Sequence, residues 1–463
     1  MSQSTSHSSR RRSSRSASEA ARPAGRYDKA AVVLIAGIPM LATVGYGAVD
    51  IWALIPLSAL SAFLAAVWLL DSLKNEEFRY SISALQLPIG ALILLGCVQL
   101  LPLGPGSPGL PGNAELAGTL TIDPFSTGYF VIRLLLLLMF FAAALTFLNA
   151  KRRVRRVMLA IVIFGALMAF AGILQRLASP DAIYGMRPTP QAIPFGPFVN
   201  QHHFAAFMEM TIGLGLAALL GDAVKRDRRA LLVIALALMM IAVLMTGSRG
   251  GMIALFSVVA FVTAANYAGR AAGERERFRF GALHAAGAAA IIVIVAGSVL
   301  FLAGADPLVR GLGMQAGQTD VTGGRLHFWS VALKIFVDNP IVGAGLDAFG
   351  VAFTRYDTWN GVWRVEQAHN DYLQILADGG VIGLACVAGF IFLLFRRGLT
   401  VIRRSSSPGR RSIAVGALAG CFGILVHSFF DFPLRTPSNA YFFLLLAAMA
   451  TVPLGDEREP SAD

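Results

Sequence analysis

Apolar segments long enough to cross a bilayer recur along most of the chain, with short polar connections between them. A bilayer core needs about 20 apolar residues per helix, so each segment predicts one transmembrane helix. The pattern predicts an all-α, polytopic membrane protein with about 12 transmembrane helices. The predicted spans are residues 30–48, 51–70, 82–101, 129–148, 157–175, 203–221, 230–246, 250–268, 282–303, 373–395, 412–430 and 437–453.

The spacing of these segments divides the chain into two tails, two membrane parts and one long loop. Residues 1–29 are rich in Ser and Arg and predict a disordered basic tail. Residues 30–303 hold the first nine predicted spans, and residues 373–453 hold the last three. Between them, residues 304–372 form one loop of about 70 residues, a length that usually indicates function. Residues 454–463 form a second short tail.

Positive charge is concentrated on alternate connections between the spans. With the N-terminus placed inside, 29 of the 39 Lys and Arg residues fall on inner connections and tails. Because cytoplasmic connections carry an excess of Lys and Arg, both termini are predicted to be cytoplasmic. The 304–372 loop then lies on the outer side, where the few basic residues become candidates for function.

Composition and missing motifs exclude several classes of function. Charged residues make up only 14% of the chain, against about 25% in ordinary soluble proteins. The net charge of +12 sits in short clusters between spans, which argues against a nucleic-acid partner. The sequence contains no Asp-x-Asp pair, which disfavours a nucleotide-sugar enzyme that uses a bound divalent ion. It also contains no Gly-x-x-x-x-Gly-Lys loop, which disfavours ATP binding by that loop. No inverted repeat with broken helices is visible, which weakens a transporter interpretation.

A tight turn between the seventh and eighth predicted spans carries the first candidate residue. Its sequence is Thr-Gly-Ser-Arg-Gly-Gly, residues 246–251, and it places Arg249 at the outer edge of the membrane. The glycines allow close backbone approach, and the N-terminus of the following helix adds partial positive charge. The turn therefore indicates an anion site, although an Arg that only snorkels to the interface fits it equally well.

Arg325 begins a predicted helix inside the long outer loop. Apolar residues follow at helical spacing, and Asn339-Pro340 predicts the end of the helix. Such a helix is expected to lie on the membrane surface or to cap the bundle. Its Gly-Gly-Arg start is a second candidate anion site, and the alternative is an ordinary cap with a solvated Arg. The apolar stripe consists of Leu326, Trp329, Leu333 and Phe336.

His369 lies in a polar cluster, residues 366–374, where the long loop re-enters the membrane. An imidazole at such a position can act as a general base near neutral pH when an Asp or Glu orients it. A lone His is more often structural, but the density of polar groups at a membrane mouth favours the functional interpretation. Asn370 and Asp371 directly follow the His and are its nearest candidate partners.

Other polar residues near the outer ends of the spans form a supporting set. Glu209 lies inside a span and is either functional or paired with a neighbouring basic group. For residues 427–435 a polar network at the helix end is favoured over direct catalysis. No metal site is predicted. The supporting residues are Asn370, Asp371, Arg133, His203, Asp431 and Arg435.

Three of these motifs together resemble the O-antigen ligase/O-antigen polymerase family. They are Thr-Gly-Ser-Arg-Gly-Gly (246–251), Gly-Gly-Arg-Leu-x-x-Trp (323–329) and Ala-His-Asn-Asp-Tyr-Leu-Gln (368–374). The similarity runs from about Asn200 to Asn439 and includes the order of the motifs, the spans, the inside termini and the large loop. The first half of the chain is similar only in its hydropathy.

The resemblance implies a GT-C-like membrane fold and a metal-independent, inverting glycosyltransferase without a cofactor. The implied donor is a glycan on undecaprenyl pyrophosphate, and the reaction occurs on the periplasmic face of the bacterial inner membrane. A ligase passes the glycan to the lipid A core during lipopolysaccharide assembly. A polymerase of O-antigen or exopolysaccharide passes it to another carrier-linked glycan, and residues 431–435 are similar to exopolysaccharide-type members. A related group modifies protein hydroxyls.

The resemblance also assigns roles to single residues. Arg249 and Arg325 match the arginines that bind the pyrophosphate, and His369 matches the proposed catalytic base. Two alternatives of other classes remain open. A transporter or flippase predicts polar residues along a path through the whole membrane, whereas here they gather at the outer face, with Glu209 the main exception. A non-catalytic membrane subunit predicts that the two Arg and the His can be replaced without effect.

Overall fold

A computed structural model describes residues 25–104, 118–190, 192–221, 223–268, 324–359 and 365–454, which are almost entirely helical. The described strands form one short antiparallel hairpin, Ala182–Ile183 with Arg187–Pro188. The helices are α1 (Arg26–Val44), α2 (Leu54–Asn75), α3 (Gln86–Gln99), α4 (Pro124–Phe147), α5 (Lys151–Ala178), α6 (Gln201–Leu220), α7 (Arg226–Met245), α8 (Arg249–Ala268), α9 (Arg325–Asp338), α10 (Phe349–Tyr356), α11 (Asp371–Arg404), α12 (Pro408–His427) and α13 (Pro437–Thr451).

Nine helices in the described ranges are long and apolar enough to cross a membrane. Two further apolar helices, α3 and α13, are shorter. The prediction of an all-α, polytopic membrane protein is therefore confirmed. Every predicted span overlaps one described helix except the ninth, residues 282–303, which lies outside the described residues.

The described residues before and after that gap lie at opposite ends of the bundle. Near the start of α12, Arg411 donates a hydrogen bond to the carbonyl of Ala265 in the last turn of α8. Beyond the end of α12, Arg325 donates to the carbonyl of Phe430. The chain therefore leaves α8 at one end of the bundle and begins α9 at the other.

Helices α6 and α12 form the centre of the bundle. In the most apolar stretch of each helix, 83% of the residues of α6 and 78% of those of α12 are buried, against 28% of those of the peripheral α7. Glycines make the close contact possible, because a Cβ on Gly213 would lie only 2.9 Å from the backbone nitrogen of Gly420. Small residues of this kind let membrane helices pack backbone to backbone. The start of α6 and the end of α12 are consequently held firmly side by side.

Helix α11 is interrupted near its beginning, which the continuous span predicted for this region did not foresee. Gly380 has φ +61°, and a Cβ there would lie 2.4 Å from the carbonyl oxygen of Ile341. The backbone groups freed by the break bond to the preceding loop, since Val381 N donates to Pro340 O at 2.9 Å. Irregular backbone at membrane depth is tolerated where protein groups satisfy it.

Helices α9 and α10 pack together on the first turns of α11. The predicted α9 and its end near Asn339 are confirmed. Its packed face consists of Val331, Ala332 and Ile335, whereas Leu326 and Leu333 of the predicted stripe are exposed. The helix has apolar residues on both faces, so periodicity alone did not identify the face that contacts the protein. The exposed face is available to a membrane surface.

Candidate active site at one end of the bundle

The three motifs meet at residues 428–435 of the connection between α12 and α13, a segment termed the 428–435 loop. It lies at the end of the central helix pair. The turn that carries Arg249, the side chain of Arg325 and the ring of His369 each contact this loop. Residues separated by more than a hundred positions in sequence are thus brought to one small region.

Arg249 is the first residue of α8, and its side chain is exposed. The hydroxyl of Ser248 accepts a hydrogen bond from Gly251 N at 3.0 Å and so caps the helix. Gly250 lies against the 428–435 loop, since a Cβ on it would be 2.9 Å from the Cβ of Phe430. The Gly-Gly pair therefore serves close packing, and it fixes the position from which the Arg249 side chain extends.

Arg325 is the first residue of α9, and its guanidinium reaches the same loop. Its Nε donates to the carbonyl of Phe430 at 3.0 Å, and its Nη2 lies 3.8 Å from Asp431 Oδ2. About a quarter of the side chain, 24%, is exposed. The guanidinium is therefore both held by the protein and open toward solvent, as an anion-binding Arg must be.

His369 lies immediately before α11 in a backbone conformation that is unusual for a residue with a side chain. Its φ is +51°, in the left-handed region. Its Nδ1 lies 3.3 Å from Asp431 Oδ1, and 30% of the side chain is exposed. Residues held in such conformations cluster at active sites, where the surrounding structure imposes them. The ring nitrogen nearer to Asp431 is Nδ1, so Nε2 is the one farther from that carboxylate.

Asn370 and Asp371 impose this conformation by docking the start of α11 on the 428–435 loop. The Asn370 side chain accepts hydrogen bonds from Tyr372 N at 3.0 Å and Leu373 N at 3.1 Å, and it donates to the carbonyl of Phe429 at 3.1 Å. The Asp371 carboxylate accepts from the Ser428 hydroxyl at 2.8 Å. These hydrogen bonds hold the start of α11 on the loop and so keep His369 next to Asp431.

Asp431 is the buried carboxylate at the centre of the site, only 1% exposed. The His202 ring nitrogen lies 4.0 Å from it, in addition to His369 and Arg325. Burial alone would raise the pKa of Asp431, but the imidazoles of His202 and His369 hold it well below its usual range. Asp431 is therefore a carboxylate that can orient the imidazole of His369.

The second half of the 428–435 loop is braced by Arg435. Its guanidinium binds Asp347 Oδ1 at 2.5 Å and Asp378 Oδ2 at 2.7 Å, and it lies over the Phe130 ring. Burial would lower the pKa of Arg435, but the carboxylates of Asp378 and Asp347 raise it. Arg133 donates to the carbonyl of Arg435 at 2.6 Å. Arg133 and Arg435 thus support the loop and do not contact His369 directly in any described hydrogen bond or ion pair.

His203 supports the loop from the start of α6. Its Nδ1 lies 2.7 Å from the hydroxyl of Thr436, and its carbonyl accepts a hydrogen bond from Asn439 at 3.0 Å. The ring of Phe432 lies between two imidazoles, with centroids 4.8 Å from both His203 and His369. His203 therefore reaches the site through packing on Phe432.

A buried His–Glu pair lies one layer below the site, between the two central helices. His427 Nδ1 lies 3.0 Å from Glu209 Oε1, and both side chains are at most 1% exposed. Of the two alternatives for Glu209, a functional group or one paired with a basic neighbour, this contact shows the pairing. The pair links the middle of α6 to the end of α12, directly under the turn that carries Arg249.

Loss of this pair is expected to destabilise the protein. His427→Ala leaves Glu209 buried without its partner, which typically costs about 3–5 kcal/mol. Thermal unfolding of the purified protein in detergent, followed by intrinsic fluorescence, should show a clearly lowered midpoint. Asp227→Ala is the control, because its contact with Arg228 is solvent-exposed at both partners and contributes little. An unchanged midpoint for His427→Ala would show that the pair does not stabilise the fold.

Three side chains of this region could together hold a metal ion. Ring nitrogens of His202 and His427 and a carboxylate oxygen of Asp431 lie within 4.8 Å of one another. Imidazole and carboxylate suit Zn²⁺ and similar ions, and the bond of His427 to Glu209 resembles the second-shell partner of a metal-bound His. The Arg325 guanidinium, 3.8 Å from the same carboxylate, opposes a cation there.

Comparison with known protein families finds a match that covers about a third of the chain. Residues 234–388 match the model of a protein family described as O-Antigen ligase. The matched segment contains Arg249, Arg325 and His369. No curated protein matches the chain. The match confirms the resemblance to the O-antigen ligase/polymerase family, and it indicates a glycosyltransferase-like enzyme of the membrane that acts on glycans.

Several residues of the site were not anticipated from the sequence. Asp378 carried a signal, because an acid inside an apolar segment marks a functional or paired group by default. Asp347 and Thr436 carried none, since each is a common loop residue whose role appears only through its distant partner. The predicted residues themselves all lie at one end of the bundle, in two layers around the 428–435 loop.

Proposed function

We propose that the protein transfers a glycan from an undecaprenyl-pyrophosphate carrier to an acceptor hydroxyl, as an O-antigen ligase-like glycosyltransferase. The observation that carries this proposal is the meeting of the turn that carries Arg249 with Arg325 and His369 at the 428–435 loop. These residues come from three separate motifs, and the family match covers all three. Two cationic groups and an oriented imidazole suit transfer from a pyrophosphate, because the cations neutralise the leaving group and the imidazole accepts a proton.

The two arginines have the chemistry to bind the pyrophosphate and to stabilise it as it leaves. A guanidinium offers bidentate contacts to phosphate oxygens and remains charged at any physiological pH. The first turn of α8, which begins at Arg249, adds the partial positive charge of a helix N-terminus. In a partly buried site such donors stabilise a developing negative charge far more than they do in water.

His369 is the proposed general base. Its Nε2 takes the proton of the acceptor hydroxyl while Asp431, on the Nδ1 side, stabilises the resulting imidazolium. The acceptor oxygen bonds to the anomeric carbon from the side opposite the carrier. The bond from that carbon to the phosphate oxygen breaks, and carrier pyrophosphate leaves with both electrons of the bond. One attack from the opposite side inverts the anomeric centre.

This mechanism requires no divalent cation, because the guanidinium groups neutralise the charge on the leaving pyrophosphate. The proposed orientation follows from the charge distribution: both termini in the cytoplasm, and the site on the periplasmic face of the bacterial inner membrane. A site at the bilayer edge suits a donor whose polyprenyl chain stays in the lipid. The acceptor of a ligase is the lipid A core, and that of a polymerase is a second carrier-linked glycan.

Deletion of the gene separates the ligase from the polymerase. Cell-envelope and secreted polysaccharides are run on a gel with and without a wild-type copy. A ligase predicts bare lipid A core and polymer accumulated on the carrier. A polymerase, the alternative supported by the similarity of residues 431–435 to exopolysaccharide-type members, predicts the loss of long chains while single repeats remain. An unchanged pattern in both fractions would contradict a role in surface-glycan assembly.

A further inference from the structure

An exposed indole is held in a fixed orientation beside the site. Trp359 is 47% exposed, although its ring stacks on the imidazole of His327 with centroids 4.2 Å apart and planes 9° from parallel. His327 Nε2 lies 2.8 Å from Asp357 Oδ1, and the same oxygen accepts the backbone N–H of Trp359 at 3.0 Å. The N–H of Trp359 and the bond to His327 lower the pKa of Asp357. One carboxylate thus fixes both the backbone of the Trp and the ring beneath it.

Trp359 lies one side chain away from two of the proposed functional residues. It packs against Gly324, the residue before Arg325, where a Cβ would lie 3.0 Å from its Cη2 and where φ is +83°. Phe328 bridges to the base, because its ring centroid is 5.8 Å from Trp359 and 5.8 Å from His369. The indole, Phe328 and His369 therefore form a continuous aromatic surface that leads to the site.

The chemistry of such a surface matches a sugar ring. The C–H groups on one face of a pyranose are apolar and carry a small positive charge, and an aromatic face is negative and polarisable. Trp gives a large contact area at low entropic cost, since only two side-chain torsions must be fixed. Here the stack on His327 and the carboxylate of Asp357 have already fixed them.

We propose that Trp359 is the stacking platform for a sugar ring of the bound glycan, next to the reacting centre. The identity of the ligand as a glycan rests on the proposed function. The sugar belongs either to the acceptor or to the donor, because both must reach the surface between Arg325 and His369. The proposal predicts specificity for a ring with one continuous C–H face.

Direct binding to the full-length protein in lipid nanodiscs tests this proposal. The acceptor-like probe is the free oligosaccharide released by mild acid from the host strain's own surface polysaccharide. The donor-like probe is the same oligosaccharide on carrier pyrophosphate. Trp359→Ala should weaken binding of one of the two probes by about tenfold, the size expected for loss of one ring stack. Trp359→Phe, which keeps an aromatic face, should bind nearly as well as the wild type.

Trp52 is the matched control. It is 52% exposed and contacts Tyr46, and it lies at the same end of the bundle, in the turn between α1 and α2. Trp52→Ala should leave the affinity for both probes unchanged. Equal weakening by the two variants, or no weakening by Trp359→Ala, overturns the proposal. If Trp359→Ala does not fold, a second measurement tests the proposal. The change in tryptophan fluorescence emission when glycan binds to the wild type must be absent in Trp359→Phe.

A membrane anchor is the competing role for an exposed Trp at the end of a bundle. Quenching by brominated lipids in the nanodisc separates the two roles. The emission of Trp359 is the part of the signal that is lost in Trp359→Phe. If brominated lipid quenches this emission as strongly as that of Trp52, and bound glycan does not reduce the quenching, the sugar platform is overturned. Binding is also measured in His369→Ala, where no transfer is expected. If the wild type binds the glycan but does not transfer it, the proposed reaction is contradicted. The sugar platform at Trp359 would stand in that case.

Discussion

Replacing Arg249 or Arg325 by Ala is expected to lower the rate of glycan transfer by about 100- to 1,000-fold, the usual effect of removing one donor to a developing anion. Each guanidinium would contact a pyrophosphate that is already anionic and gains one more negative charge as it leaves. The loss should therefore raise KM and lower kcat, with the larger effect on kcat. Lys should restore little of the activity in either position, because an ammonium group lacks the planar fork that binds two phosphate oxygens. The measurement is the initial rate of carrier release by purified protein.

Arg355→Ala is the matched control for both substitutions. Arg355 lies in α10, at the same end of the bundle, and its side chain is exposed over the ring of Tyr356. Its removal should leave the rate close to that of the wild type. Full activity of Arg249→Ala or Arg325→Ala would remove that residue from the mechanism. An equal loss in Arg355→Ala would indicate a general electrostatic effect of the basic surface instead.

Hydropathy was sufficient to predict the spans because a helix in lipid must satisfy its backbone internally and present apolar side chains along its length. Hydropathy could not predict features that depend on contacts with another segment of the chain. The break at Gly380 exists because the loop before α11 supplies hydrogen bonds to the freed backbone. The packed face of α9 depends on α10 and α11, and its own sequence is apolar on both sides.

The site shows the same division between local and distant information. The motifs around Arg249, Arg325 and His369 could be found in the sequence because each combines an unusual polar residue with glycines or a helix start. The 428–435 loop was expected only as a supporting network, and it lies beyond the matched segment. Its role follows from contacts across the chain, such as that of Asp431 with His369, which no local pattern encodes.

Replacing His369 by Ala is expected to lower transfer by about 100- to 10,000-fold, the usual contribution of a general base. The acceptor hydroxyl is a poor nucleophile, and without the imidazole its proton has no acceptor at the right position. Asp431→Asn should have a smaller effect, because Asp431 acts through His369. The substitution keeps the size of the side chain and removes the negative charge that stabilises the imidazolium. Its loss should appear in kcat with little change in KM, whereas a merely misfolded protein would lose both binding and rate.

The most direct measurement is glycan transfer by the purified protein in proteoliposomes that contain carrier-linked glycan, acceptor and a metal chelator. The proposed mechanism predicts that the wild type transfers the glycan and releases carrier pyrophosphate, while His369→Ala does neither at a comparable rate. Transfer by His369→Ala at the wild-type rate would contradict the mechanism. So would a wild type that is active only after a divalent cation is restored, a result that would direct attention to His202, His427 and Asp431 instead.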